Sequence, residues 1–325
     1  MVNIILGAIA LGLLWGIMTL GVHLTYRILD VADLTVEGTI TTGGAIAAIM
    51  ITSGVNPWLS CVAALGAGLI GGLVTALLHT KLKIPALLSG ILTMTACYSI
   101  NLRIMGKANI PLPSTGSNKV ETVFTPVHEL MKKLVGEYDD SASAAWLYDI
   151  ICSKNFSAML VGILVIIVIS VITYWFFGTE LGCAIRATGN NQKMVRAQGI
   201  STTLMIIICL MLSNGLVAFS GAFLSQYQGF ADVKQGQGAI VIGLAAIIIG
   251  QVTFGKIFRN FALKLLAVSL GSVIYYVVIQ AVISLLDIDS NYLKLISALI
   301  VAVFLAVPNL RQKVFKNFRK ERSHA

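Results

Sequence analysis

Few residues in this 325-residue chain could do chemistry, and most sit in apolar surroundings. Glu37 lies in a polar, glycine-rich run, Asp33-Leu-Thr-Val-Glu-Gly-Thr-Ile-Thr-Thr-Gly-Gly44, that opens an apolar stretch. An acid there marks a functional contact, or else a structural partner for a backbone N–H or for Arg27. Thr39, Thr42, Ser213, Asn214 and Gln226 are polar side chains inside other apolar runs, where each is costly without a partner. With Glu37 they are the candidates to line a polar path between helices. The histidines (His23, His79, His128, His324) and cysteines (Cys61, Cys97, Cys152, Cys183, Cys209) are scattered, with no Cys-x-x-Cys pair. Neither a metal site nor a disulfide framework is expected, and the cysteines read as small apolar fillers. Gly66-Ala-Gly-Leu-Ile-Gly71 has the glycine spacing of a dinucleotide loop, but no strand precedes it. The overlapping Gly68-x-x-x-Gly72 reads instead as close helix packing. No P-loop, Ser/His/Asp set or HExxH motif occurs, so the chain is not expected to be an enzyme or to bind a cofactor.

The elements that must hold these residues are membrane helices. Apolar residues make up 57% of the chain, charged residues 11%, and mean hydropathy is +0.88. A soluble globule of this size cannot hide so much apolar surface. This excludes a soluble enzyme, a disordered chain and a nucleic-acid-binding module. The net charge of +9 is explained by position, since six Lys/Arg lie in the last fifteen residues. That pattern is a cytoplasmic anchor beside a membrane.

A spanning helix needs about 20 mostly apolar residues. We read nine, at about 3–24, 35–53, 57–78, 84–105, 157–178, 202–228, 237–254, 265–286 and 291–308, the second and seventh being weakest. The predicted fold class is an all-α polytopic membrane protein. Residues 1–310 form one membrane domain and residues 311–325 a basic cytoplasmic tail. Lys81, Lys83, Arg186, Lys193, Arg196, Lys256, Arg259, Lys264 and the tail all fall on one side, which places the N-terminus outside and the C-terminus inside. The segment 106–156 is then external, a cap over the outer mouth or a docking surface, with a short amphipathic helix at Val127–Val135.

An offset of 199 residues aligns Gly16 with Gly215, Ala32 with Ala231, Asp33 with Asp232, Gly44 with Gly243 and Ala47 with Ala246. Repeat 1 (about 1–105) and repeat 2 (about 200–308) would then be inverted copies, an arrangement of transport proteins that places the pathway at the repeat interface. The second element of each copy opens on polar, glycine-rich sequence, Asp33–Gly44 and Gln235-Gly-Gln-Gly238. Such backbone at membrane depth lines a cavity or is buried in protein. Glycine-lined faces in the second, third and seventh spans are expected to allow contact with a second copy.

Between two long spans lies Gly178-Thr-Glu-Leu-Gly-Cys-Ala-Ile-Arg-Ala-Thr-Gly-Asn-Asn-Gln-Lys-Met-Val-Arg-Ala-Gln-Gly-Ile-Ser201. Gly182 and Gly189 punctuate it. Asn190 or Asn191 can cap a short helix that ends at Gly199. The alternative is a solvated loop.

The run Arg186-Ala-Thr-Gly-Asn-Asn…Ala197-Gln-Gly-Ile200, followed by Ser213-Asn-Gly…Ser220-Gly-Ala222, resembles the permease subunits of bacterial ABC importers of the branched-chain amino-acid and ribose type. Asp33-Leu-Thr-Val-Glu-Gly38 with Gly43-Gly44 is similar to the tryptophan/tyrosine transport-system permeases. The resemblance covers residues 10–255. It implies a bacterial plasma-membrane protein, a second permease copy, two cytosolic ATP-binding subunits that hold ATP and Mg, and an extracytoplasmic substrate-binding protein. It further implies that Asn190, Asn191, Lys193, Met194, Arg196, Ala197 and Gly199 form the coupling helix seated on the ATPase. The solute would be small, an amino acid of aromatic or other hydrophobic type. The alternative is a secondary transporter driven by an ion gradient, which would want several intramembrane acids or histidines where Glu37 stands nearly alone.

Overall fold

The computed structural model describes residues 2–113, 120–135, 150–255, 257–258 and 260–286, with Leu295, Ala298, Leu299, Val301 and Ala302. The basic tail and most of the ninth expected span lie outside the described residues.

Apolar runs fold as helices because a helix satisfies its own backbone where water is absent. In order they are α1 (Val2–His23) with a π-helical turn at Leu24–Leu29, α2 (Thr35–Thr52), α3 (Pro57–Thr80) and α4 (Ala86–Met105). Strand β1 (Asn109–Pro111), α5 (Thr125–Val135) and α6 (Lys154–Gly178) follow. The remainder are α7 (Glu180–Asn190), α8 (Gln192–Ala197), α9 (Thr202–Gln228), β2 (Phe230–Asp232), α10 (Ala239–Phe254) and α11 (Phe261–Leu286).

Among the described residues, six helices are long and apolar enough to cross a membrane: α1 with its π turn, α3, α4, α6, α9 and α11. This supports a polytopic membrane protein with fewer clear spans than the nine expected. The two segments expected to be weakest are the reason within the described chain. α2 carries Glu37 and five threonines, and α10, with 16 residues, is a shorter apolar helix. Sixteen residues reach about 24 Å, less than the roughly 30 Å of a hydrocarbon core.

The chain is not purely α. β1 and β2 pair antiparallel, with Asn109 opposite Asp232 and Pro111 opposite Phe230. This ribbon gives partners to backbone groups of two connecting segments and ties the 106–156 region to the end of α9. Further along, the Val123 N–H donates to Gln226 Oε1 at 2.9 Å, and the buried Phe124 ring meets Phe223 and Tyr227 edge-on.

α9 is the central helix, packed on α3, α2 and α1, while α11 packs on α1 and α10. Small residues set these crossings. A Cβ on Gly43 would lie 1.9 Å from the Ala218 carbonyl oxygen, and one on Gly221 equally close to that of Ile40. α2 and α9 thus touch backbone to backbone. Gly68 and Gly72 meet the carbonyls of Asn214 and Leu210, each with 2.3 Å for a Cβ. The Gly-x-x-x-Gly motif therefore packs α3 on α9. This corrects the expectation that glycine faces serve a second copy: those of α2, α3 and α10 are largely spent inside the chain. Serine hydroxyls bridge the crossings of α9 and α11 with α1, Ser213 to the Gly21 carbonyl at 2.7 Å, Ser220 to that of Leu14 at 2.8 Å and Ser272 to that of Gly12 at 2.6 Å.

Candidate functional site

Between α2, α3 and α9 runs a buried polar chain. Asp33 stands just before α2 and accepts from the Thr35 N–H at 2.9 Å, in the manner of an N-cap. Its other oxygen accepts from Asn214 Nδ2 at 2.7 Å. Asn214 Oδ1 in turn accepts from the Thr39 hydroxyl at 2.8 Å, and Thr35 shares a 2.7 Å bond with Thr75 of α3. Asp33, Thr35, Thr39, Thr75 and Asn214 are all buried. Such a satisfied network holds elements in register.

The six residues expected to line one path therefore part company. Thr39 and Asn214 meet, but within this joint. Thr42 donates to the Gly38 carbonyl of its own helix at 2.9 Å. Ser213 faces α1. Gln226, fully buried, donates to Cys61 Sγ at 3.1 Å and holds Val123. Glu37 lines a cavity of about 290 Å³ shared with Thr41, Met94, Tyr98, Asn101 and Gln237. Asn101 is buried there and its Oδ1 has no hydrogen-bond partner.

Glu37 is placed by the turn Gln235–Gly238, which wraps the first turns of α2. The Gly236 N–H donates to Thr41 Oγ1 at 3.1 Å, and a Cβ on Gly236 would meet the Glu37 carbonyl oxygen at 1.9 Å. The Gly238 N–H donates to Glu37 Oε1 at 3.1 Å. The carboxylate thus faces the positive end of α10. Of the two structural roles open to it in sequence, the backbone N–H is the partner observed, while Arg27 lines a different cavity. The Ile240 N–H also engages the carboxylate, and of the roughly four lone-pair sites of its two oxygens the rest are left toward the cavity.

The segment between α6 and α9 forms two helices where sequence suggested one. Gly182 and Gly189 do not interrupt α7. They let it approach other backbone, with 2.4 Å for a Cβ at Gly182 from the Phe176 carbonyl oxygen and 1.9 Å at Gly189 from that of Ile28. Asn190 closes α7, and Asn191 caps α8, its Oδ1 accepting from the N–H groups of Lys193 and Met194 at 3.1 Å each. Gly199 follows with φ +79°, the left-handed conformation that ends helices. α8 is anchored through Val195, its one buried side chain, and through Arg196 Nε, which donates to Thr202 Oγ1 at 2.8 Å. Lys193, Met194, Ala197 and Gly199 are left exposed.

Sequence reasoning missed Asp33, Thr35 and Thr75 as parts of the buried joint, and Val195 and Thr202 as anchors of α8. Asp33 carried a readable signal, an Asp two residues before a helix start. The others had none, because their partners lie on other elements.

A family described as "Branched-chain amino acid transport system / permease component" matches residues 4–307. A tyrosine transport system permease protein of Clostridioides difficile is 36% identical over 316 residues, 97% of this chain and 95% of that protein. The uncharacterized protein RP368 of Rickettsia prowazekii is 30% identical over 305 residues, 94% and 97% of the two chains. The inner membrane ABC transporter permease protein YjfF of Escherichia coli is 27% identical over 249 residues, 76% and 64% of the two chains. No solved structure matches.

Proposed function

The chain belongs to the branched-chain amino acid transport system permease family, and from that premise we propose that it is the membrane-spanning subunit of an ATP-binding-cassette importer for a small solute, an amino acid of aromatic or other hydrophobic type. It is a multi-pass protein of the bacterial inner membrane. In this reading two copies pair, two cytosolic ATPase subunits supply ATP and Mg, and an external binding protein delivers solute. Pairing uses faces other than the glycine seams, which the fold occupies internally. Exchanged packing supports two inverted halves: α3 lies mainly on α9, and α11 mainly on α1, so the third helix of each half packs on the first helix of the other.

The observation that carries the proposal is α8. It is short, capped by Asn191, pinned by Val195 and Arg196, and presents Met194 with 52% of its surface exposed. A flexible apolar side chain on a rigid mount suits a groove on a partner. Motion of that partner would reach α6 through α7 and α9 directly. Along the solute path, Glu37 and the orphaned Asn101 oxygen offer acceptors, which suits a solute bearing an ammonium group; Tyr98 and Met94 offer apolar contact. The tyrosine transport relative points the same way.

Met194→Glu tests the proposal. It changes an exposed side chain and leaves the positive φ of Gly199 unstrained. The variant should insert normally and fail to co-purify with its ATPase. Wild-type complex yield and uptake would remove α8 from the coupling role.

A further inference from the structure

A cavity of about 980 Å³ lies away from Glu37, where the π turn after α1 meets α7 and α11. Arg27, Arg186 and Lys264 line it from these three elements, against one acid, Asp30. Among the described residues no ion pair engages any of the three cations. Arg186 is held in place by stacking over the Phe261 ring at 4.9 Å from its centroid. His23 also lines the cavity. It is only 5% exposed, and its Nδ1 has no hydrogen-bond partner.

Scattered surface cations need no ligand, but three arriving from separate elements over a buried imidazole whose Nδ1 has no partner form a built site. An anion with several oxygens matches it. A guanidinium offers paired N–H donors, an ammonium offers a point charge, and a neutral imidazole donates from one nitrogen. Carbon walls adjoin the charges at Ile28, Phe261 and Ala267. The cavity also sits at the ends of α1 and α11, both long enough to span a bilayer. Basic pockets between helices at the cytoplasmic surface take anionic headgroups. We propose that this cavity binds a phosphate-class oxyanion, supplied by the headgroup of an anionic phospholipid. Occupation would tie the end of α1 to α7, the helix that leads into α8. The inference does not depend on which solute the protein carries.

Cys183 lines the cavity and is exposed, so it reports occupancy. The full chain is placed in phosphatidylcholine nanodiscs, and maleimide labelling of Cys183 is followed by mass spectrometry. One arm adds phosphatidylglycerol and a second adds inorganic phosphate. Phosphatidylglycerol should slow labelling, and each of Arg27→Gln, Arg186→Gln and Lys264→Gln should weaken the lipid concentration dependence about five-fold. These side chains are exposed, so folding should survive, and the wild-type comparison of the two lipids needs no variant. Protection by inorganic phosphate alone would keep the oxyanion site and overturn the lipid as its source. No protection in either arm, or undiminished wild-type protection in all three variants, would overturn the site. Protection that appears only when the ATPase is added would overturn it in favour of a protein contact.

Discussion

Asn214 Nδ2 lies 2.7 Å from Asp33 Oδ2, although 181 positions separate them. The bond joins the segment before α2 to the middle of α9, and the same amide accepts from Thr39. A side chain with both ends engaged across two elements is a joint. This changes what a substitution there should do.

Asn214→Ala should destabilise the protein as well as impair uptake. It removes the Nδ2 donor of the buried Asp33 Oδ2, a loss of about 1–3 kcal/mol for an unsatisfied group, while the Thr39 hydroxyl keeps the Thr35 carbonyl of its own helix at 3.2 Å. Thermal unfolding in detergent should show a clear fall in Tm. Thr42→Ala removes a bond within α2 and a weak contact with the Cys97 thiol, and should leave Tm within a few degrees of wild type. Equal stability of both variants would mean the joint is energetically idle.

Glycine substitutions should separate by seam. Gly68→Val places carbon against the Asn214 carbonyl, and overpacking of this kind costs about 1–3 kcal/mol. Gly66 lies two positions away with nothing within 4 Å of a Cβ. Gly66→Ala should therefore express and fractionate as wild type while Gly68→Val loses yield. The reverse order would place the α3–α9 contact elsewhere.

Met194 and Lys107 should be reachable from opposite sides of the membrane. α8 precedes the start of α9, and the β1–β2 ribbon lies at its end. A 27-residue helix spans about 40 Å. In a cysteine-free background, Lys107→Cys should react with an impermeant maleimide in intact cells, and Met194→Cys only after permeabilisation. Labelling of both without permeabilisation would contradict the orientation inferred from Lys and Arg placement.

Glu37→Gln keeps an oxygen that can accept from the Gly238 N–H and removes the charge beside the cavity. If the carboxylate meets a solute ammonium, KM for uptake into proteoliposomes containing the ATPase should rise about tenfold, the worth of one charge-assisted hydrogen bond. Tm and maximal rate should change little. An unchanged KM would reduce Glu37 to a partner of the α10 terminus.

Hydropathy alone determined that this chain is helical and belongs in a membrane, because a run of apolar residues must satisfy its backbone within itself. Local chemistry was equally legible where it acts over a few residues. Asn191 and Gly199 delimit α8 because a side-chain oxygen reaches N–H groups two and three residues on, and glycine adopts a positive φ without penalty. Tertiary structure decided what each polar or small residue faces. Ser213 and Asn214 are adjacent in sequence, yet a 100° step around the helix sends one to the Gly21 carbonyl and the other to Asp33. Gly182 and Gly189 looked like breaks, and became contact points because Phe176 and Ile28 carbonyls lie against them. Gln226 looked like a path residue, and its amide went to Val123 in a connecting segment 103 positions earlier. Such partnerships leave no periodic trace, since only packing between separate elements brings the two members together.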